Sequence, residues 1–253
     1  MTLSEIQTKI DNARTLDFGD IITECFELFK KVWLRGFIVV LMVMLVAIGI
    51  GFIFALIGLA QGPNFFSGSF DSDELFTWFS LNAIYSIPQT IIISSFTIAI
   101  VGAFYRICWE QESGTSAQDD YFYFFKREYS GKLLLLGILY TLIATVAQLL
   151  FFIPYIYAFV PLSYFSIVFA NNPDLSETEI IKASFSLGNK KWLLTFGTMF
   201  ITGILGMLGI LACGIGVLFT ISIVYLPVYL IYKQVVGFDT MDEIDSIGEN
   251  QTF

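Results

Sequence analysis

The sequence predicts an all-α integral membrane protein: six transmembrane helices, organised as three parallel repeats of an interfacial amphipathic helix plus a transmembrane hairpin. Three observations predict it. Of 253 residues, 56% are hydrophobic and 14% charged, with a mean hydropathy of +0.76. A soluble domain holds about 45–50% apolar and about 25% charged residues. The apolar excess is gathered into uncharged runs near or above the ~18 residues that mark a bilayer span. Finally, the basic side chains fall only on alternate connections between those runs.

The runs, in order, are Gly36–Ala60, Ile84–Tyr105, Leu133–Ile153, Pro154–Ala170, Leu193–Cys213 and Gly214–Tyr232. Pro154 suits the first turn of a new helix, and Cys213-Gly-Ile-Gly216 permits a tight reversal. All 13 basic residues lie before the first run, between the second and third, between the fourth and fifth, or after the sixth. Membrane potential and anionic lipid both oppose moving such groups outward. Both termini are therefore expected in the cytoplasm of a cell whose plasma (inner) membrane holds the chain. Residues 1–237 read as one six-span domain with an outer insertion at 61–82. Residues 238–253 read as an acidic cytoplasmic tail without fixed structure.

Composition excludes several function classes. There is no histidine, which removes Ser-His-Asp and Cys-His catalysis and the HExxH zinc motif. A net charge of −9 counts against nucleic acid, whose binders need a basic footprint. Cys25, Cys108 and Cys213 show no CxxC spacing, so neither a disulfide framework nor a metal site is expected. The first 35 residues mix five basic and six acidic side chains, unlike a cleaved secretory signal.

The repeat is read from matching segments before the odd-numbered spans, giving units 17–110, 116–171 and 176–237. Asp17, Ser116 and Ser176 are expected N-caps, each followed three residues later by an acid; Ser176 with Glu179 forms a capping box. Phe26, Phe122 and Phe185 lead the apolar faces. Helices are therefore expected over 18–31, 119–128 and 177–190, lying on the membrane surface with their basic residues at the headgroups. The interface residues are Lys30, Lys31 and Arg35 with Trp33, Lys126 and Arg127 with Tyr129, and Lys190 and Lys191 with Trp192. Both Phe18-Gly-Asp-Ile-Ile-Thr-Glu-Cys-Phe-Glu-Leu-Phe-Lys-Lys31 and Ile181-Lys-Ala-Ser-Phe-Ser-Leu-Gly-Asn-Lys-Lys-Trp192 resemble a prokaryotic multi-pass family. That family is the membrane domain of glycerophosphoryl diester phosphodiesterases, together with related domain-of-unknown-function proteins. The resemblance implies a prokaryotic plasma membrane. It implies no phosphodiesterase activity, because this chain has neither the soluble catalytic barrel nor a histidine.

Within the spans the polar groups are few and uncharged, against the proton relays and ion paths that intramembrane charges mark. Gln89, beside Pro88, and Gln148 are the only carboxamides at depth and form a candidate polar lining. Gly203, Gly206 and Gly209 recur every three residues and form a candidate helix-packing or docking face. The expectation that follows is a non-enzymatic structural or accessory subunit, without cofactor. Its partners would be the lipid bilayer and another membrane protein. The alternative is a carrier or channel for a small neutral or amphiphilic solute. A cavity reaching Gln89 and Gln148 would favour that alternative; a solid bundle would oppose it.

Overall fold

The computed structural model of the chain describes residues 1–57, 83–114, 119–150, 152–211 and 214–238. The insertion 61–82, the Ser116 cap, Cys213 and the tail beyond 238 lie outside the described residues. The described chain is helical throughout, without strands, and six of its helical stretches are long and apolar enough to cross a membrane.

A short helix α1 (Leu3–Asp11) comes first. Its cap is reciprocal: the Thr2 N–H donates to the Glu5 carboxylate at 2.8 Å, and the Glu5 N–H donates to the Thr2 hydroxyl at 3.4 Å. Ile6 and Ile10 are its buried face. Asp17 then accepts hydrogen bonds from the Gly19 and Asp20 N–H groups at 2.7 and 3.1 Å and starts α2 (Phe18–Leu56). This helix runs 39 residues without a break, about 58 Å at about 1.5 Å per residue. Residues 18–31 are therefore the opening turns of the helix that contains the first apolar run, not a separate helix. Lys30, Lys31 and Arg35 interrupt the hydropathy of this stretch, but lysine and arginine are good helix formers and nothing stops the ladder.

Helix α3 (Ile87–Glu112) stands in the middle of the bundle, flanked by α2, by α4 (Arg127–Leu149) and by the fourth span. The helix expected over 119–128 is not formed. The Asp120 carboxylate takes the Phe122 N–H at 3.0 Å, only a 3-10 turn follows at Tyr123–Phe125, and Lys126 is extended. A short side chain that bonds backbone locally competes with the helix in just this way. The fourth span is divided into α5 (Phe152–Ser163) and α6 (Phe165–Asn171). Pro161, inside α5, brings no N–H to the ladder, and the helix breaks three residues later.

Helix α7 (Glu177–Lys190) spans the residues expected to be helical at 177–190. Glu179 reaches back to the Ser176 N–H at 2.9 Å and takes its hydroxyl proton at 2.7 Å. It packs on α1 and across α5. Helix α8 (Trp192–Met207) continues as a 3-10 turn to Leu211. Gly214, at φ +79°, takes the left-handed conformation that glycine adopts without cost. The chain returns through α9 (Gly216–Thr220), a 3-10 stretch at Ile221–Tyr225 and α10 (Leu226–Val235).

Side-chain bonds tie the ends rich in charge into one layer. Lys132 holds the Pro173 and Leu175 carbonyls, Gln234 donates to Glu24 at 2.8 Å, and Lys191 donates to the Arg14 carbonyl. The alternation of basic residues thus places them at a common end of the bundle. The far end, where α2 finishes and α9 begins, carries no charge among the described residues.

Candidate functional site

The described helices bound a partly open cavity. It has a volume of about 690 Å³ and is bounded by α2, α3, α4, the divided fourth span, α8 and the returning sixth span. Its size falls within the roughly 300–1,000 Å³ of small-molecule sites. No charged residue lines it among the described residues.

Its walls differ in chemistry. One is apolar: Val40, Val43, Met44 and Ala47 from α2, with Met199, Ile221, Val224 and Val228 from the last two spans. The lining from α3, α4 and the fourth span carries hydroxyls among apolar residues such as Ile93, Ile98 and Val101. Ser86, Thr90, Ser94 and Thr97 descend one face of α3 at helical spacing. Thr145 and Gln148 come from α4, and Ser163 and Ser166 from either side of the fourth-span break. Four tyrosines complete the lining: Tyr140 and Tyr155 beside the hydroxyl wall, Tyr105 and Tyr225 toward the charged end. From Ser86 to Tyr105 the helix advances roughly 28 Å, so the hollow extends along most of a span.

The hydroxyl protons are partly committed. Ser86 donates to the Ala83 carbonyl at 3.1 Å, Thr97 to Ile93 at 2.8 Å and Ser163 to Val160 at 2.7 Å. A hydroxyl has one proton, so these three oxygens have only acceptor capacity left. Ser94 meets Thr141 of α4 at 3.5 Å.

Toward the charged end the cavity meets packed aromatic side chains. Tyr105 stacks on Tyr229, ring centroids 6.0 Å apart. The Tyr229 hydroxyl donates to Glu112 at 2.7 Å, and Lys233 reaches the same carboxylate oxygen at 2.9 Å.

Of the two candidate carboxamides, Gln148 lines the cavity and Gln89 does not. Gln89 Nε2 lies 3.5 Å from the position a Gly51 Cβ would occupy, against α2. The glycine stripe is taken up within the chain. A Cβ on Gly206 would crowd the Ile221 backbone at 3.1 Å, and one on Gly209 would overlap Thr220 and the Gly216 backbone. Gly203 faces Val224 more loosely. It is a seam between the last two spans.

The expected interface residues divide. Lys31 and Arg127 are exposed, Trp33 is exposed beside Phe219, and Lys30 is paired with Glu27 at 2.6 Å. Arg35 is engaged with Asp119, and Lys126 sits 4.3 Å over the Tyr123 ring, over which Arg106 also sits at 3.5 Å. Tyr129 packs its ring among Tyr123, Phe124 and Phe169. Trp192 donates to the Tyr157 carbonyl at 3.1 Å and stacks on Phe196. Lys190 reaches the Asp11 carbonyl at 3.4 Å. Lys191 is only 9% exposed; burial, and then the charge of Lys190, push its ammonium below the ordinary lysine range. These two lysines are directed at α1 and the loop that follows it. The signal missed in the sequence was α1 itself, whose Ile6 and Ile10 already show helical spacing.

No family model, curated protein or solved structure matches the chain.

Proposed function

We propose that the chain binds an uncharged or amphiphilic molecule in its central cavity and carries it through the membrane. One observation carries this reading: a charge-free hollow of about 690 Å³, with an apolar and a hydroxyl-bearing wall, inside a bundle of membrane-length helices. A polar interior is costly in hydrocarbon unless it serves a ligand or water. The test compares wild type with the filled variants A47W and A144W, extracted in polymer discs without detergent. Native mass spectrometry should find a neutral molecule retained by wild type and lost from both variants. Identical masses in all three would sink the reading.

The accessory-subunit reading takes second place. The candidate glycine docking face is occupied within the chain, and on α8 the half-buried Trp192 and Phe196 stack in a row that ends at the exposed Phe200. Repeated native extraction yielding a clean monomer would count against it. No enzymatic step is proposed.

A cytoplasmic position for both termini is supported by the common end at which the basic residues gather. In a variant lacking the native cysteines, S67C should label from outside and S116C only from inside. Kinship with the phosphodiesterase-associated membrane domains rests on segments 18–31 and 181–192. The repeat finds support in the matched caps at Asp17 and Ser176; the turn at Tyr123–Phe125 weighs against three equal copies.

A further inference from the structure

The chemistry of the two cavity walls narrows the ligand class. We infer that the cavity selects an uncharged polyhydroxyl amphiphile, of the alkyl glycoside kind, that donates hydrogen bonds along one edge and is apolar along the other. This rests on the carrier reading above and goes further by naming the ligand's chemistry.

Three steps lead there. First, the polar lining is spread lengthwise. Hydroxyls recur along α3 from Ser86 to Thr97, roughly 16 Å of helix, interleaved with Ile93, while the lining from α2 (Val40 to Ala47) is wholly apolar. A ligand with one polar head and a plain tail would match only part of that wall. Second, three of the lining hydroxyls have spent their protons, while Thr90, Thr145, Ser166 and Gln148 also carry donors into the lining, so a matching group both donates and accepts, as a hydroxyl does. The hydroxyls of Ser86, Thr97 and Ser163 have each given theirs to a carbonyl of their own helix. What they offer a ligand is lone pairs, so the complementary ligand brings O–H groups. Third, no cationic or anionic side chain lines the cavity among the described residues. A charged ligand would leave water with nothing to replace its hydration.

Hydroxylated ligands therefore gain where their methyl ethers lose. Converting each O–H to O–CH₃ removes the donor, leaves the acceptor and adds bulk. Losing one or two such bonds is worth about tenfold in affinity.

The experiment uses the full chain in polymer discs and three probes of equal chain length: n-octyl β-maltoside, its per-O-methylated form, and octanoate. Native mass spectrometry reads occupancy against probe concentration for wild type, T97V, S163A and the filled variant A144W. T97V lies inside α3, where the Ile93 carbonyl keeps its helical bond, so the helix is not deprived of a partner. Two single variants guard against one that fails to fold, and the wild-type comparison of probes needs no variant. The expected result is maltoside binding about tenfold tighter than its methylated form, no octanoate binding, and a reduced maltoside preference in T97V and S163A. Maltoside and its methyl ether binding equally, both displaced in A144W, would overturn the ligand class while leaving the carrier reading intact. Octanoate binding as tightly as maltoside would do the same. Equal binding of every probe to wild type and A144W would overturn both.

Discussion

Arg35 and Asp119, 84 positions apart in the chain, meet through one guanidinium nitrogen. Arg35 Nε donates to both carboxylate oxygens of Asp119, at 2.9 and 2.8 Å. The contact fastens the connection between the second and third spans to α2. Both side chains remain about a third exposed, 29% and 33%, so water weakens the pair and its contribution is about 0.5–1 kcal/mol. R35Q and D119N should each lower the melting temperature slightly, and the double variant should cost less than the sum. A thermodynamic cycle giving zero coupling would show the contact to be incidental.

Gly36 lies where α2 crosses the Ile221–Tyr225 stretch. A Cβ there would overlap the Ser222 side chain, while its next neighbour, Phe104, stands at an ordinary 3.5 Å. G36A should cost about 1–3 kcal/mol by overpacking. Because only Ser222 is in the way, G36A/S222G should recover much of the loss, a coupling that distant sites would not show. Thermal denaturation of the four proteins reads it directly.

Thr195 gives its proton to the Lys191 carbonyl at 2.9 Å and meets the buried Tyr164 hydroxyl at 2.7 Å. Tyr164 is therefore the donor of that second bond. T195V should cost about 1–3 kcal/mol by leaving the phenol unpaired, and Y164F in that background should add little. Additive losses in chemical denaturation would reject the pairing.

Acid should loosen α7. Hydrogen bonds from the Ser176 side chain and backbone hold the Glu179 carboxyl below its ordinary value of 4.5. A depressed folded pKa means that the stabilisation is present above the unfolded value and disappears as pH falls through the folded one. Helical content should therefore drop as pH is lowered from about 5 past the ordinary glutamate range, more steeply in wild type than in E179Q. Circular dichroism between pH 6 and 3 measures this; superimposable curves would refute it.

Spans were legible in the sequence because cost in water depends on runs, and runs are visible without a structure. The same logic says nothing of where the helix holding the first run begins. Lys30, Lys31 and Arg35 end an apolar run but not a hydrogen-bonded ladder, so α2 continues through them. Segment 119–128 looked like its counterparts by residue type; the Asp120 side chain, bonding the Phe122 N–H, decided otherwise. At the site, Gln148 was found because a carboxamide at depth stands out. Ser86, Thr97 and Ser163 are ordinary in sequence, since what distinguishes them is the hollow they share and the protons they have already given away. Gln89 drew notice for the same reason as Gln148, but its position on α3 turns it toward α2.

The unbroken α2 has a mechanical consequence. Between Phe18 and Ala47 it contains no proline and no interruption, so the charged end and the apolar cavity lining sit on one stiff rod with no joint between them. Gly36, where a Cβ would overlap Ser222, stands roughly 27 Å from Phe18 and roughly 16 Å from Ala47 along that rod.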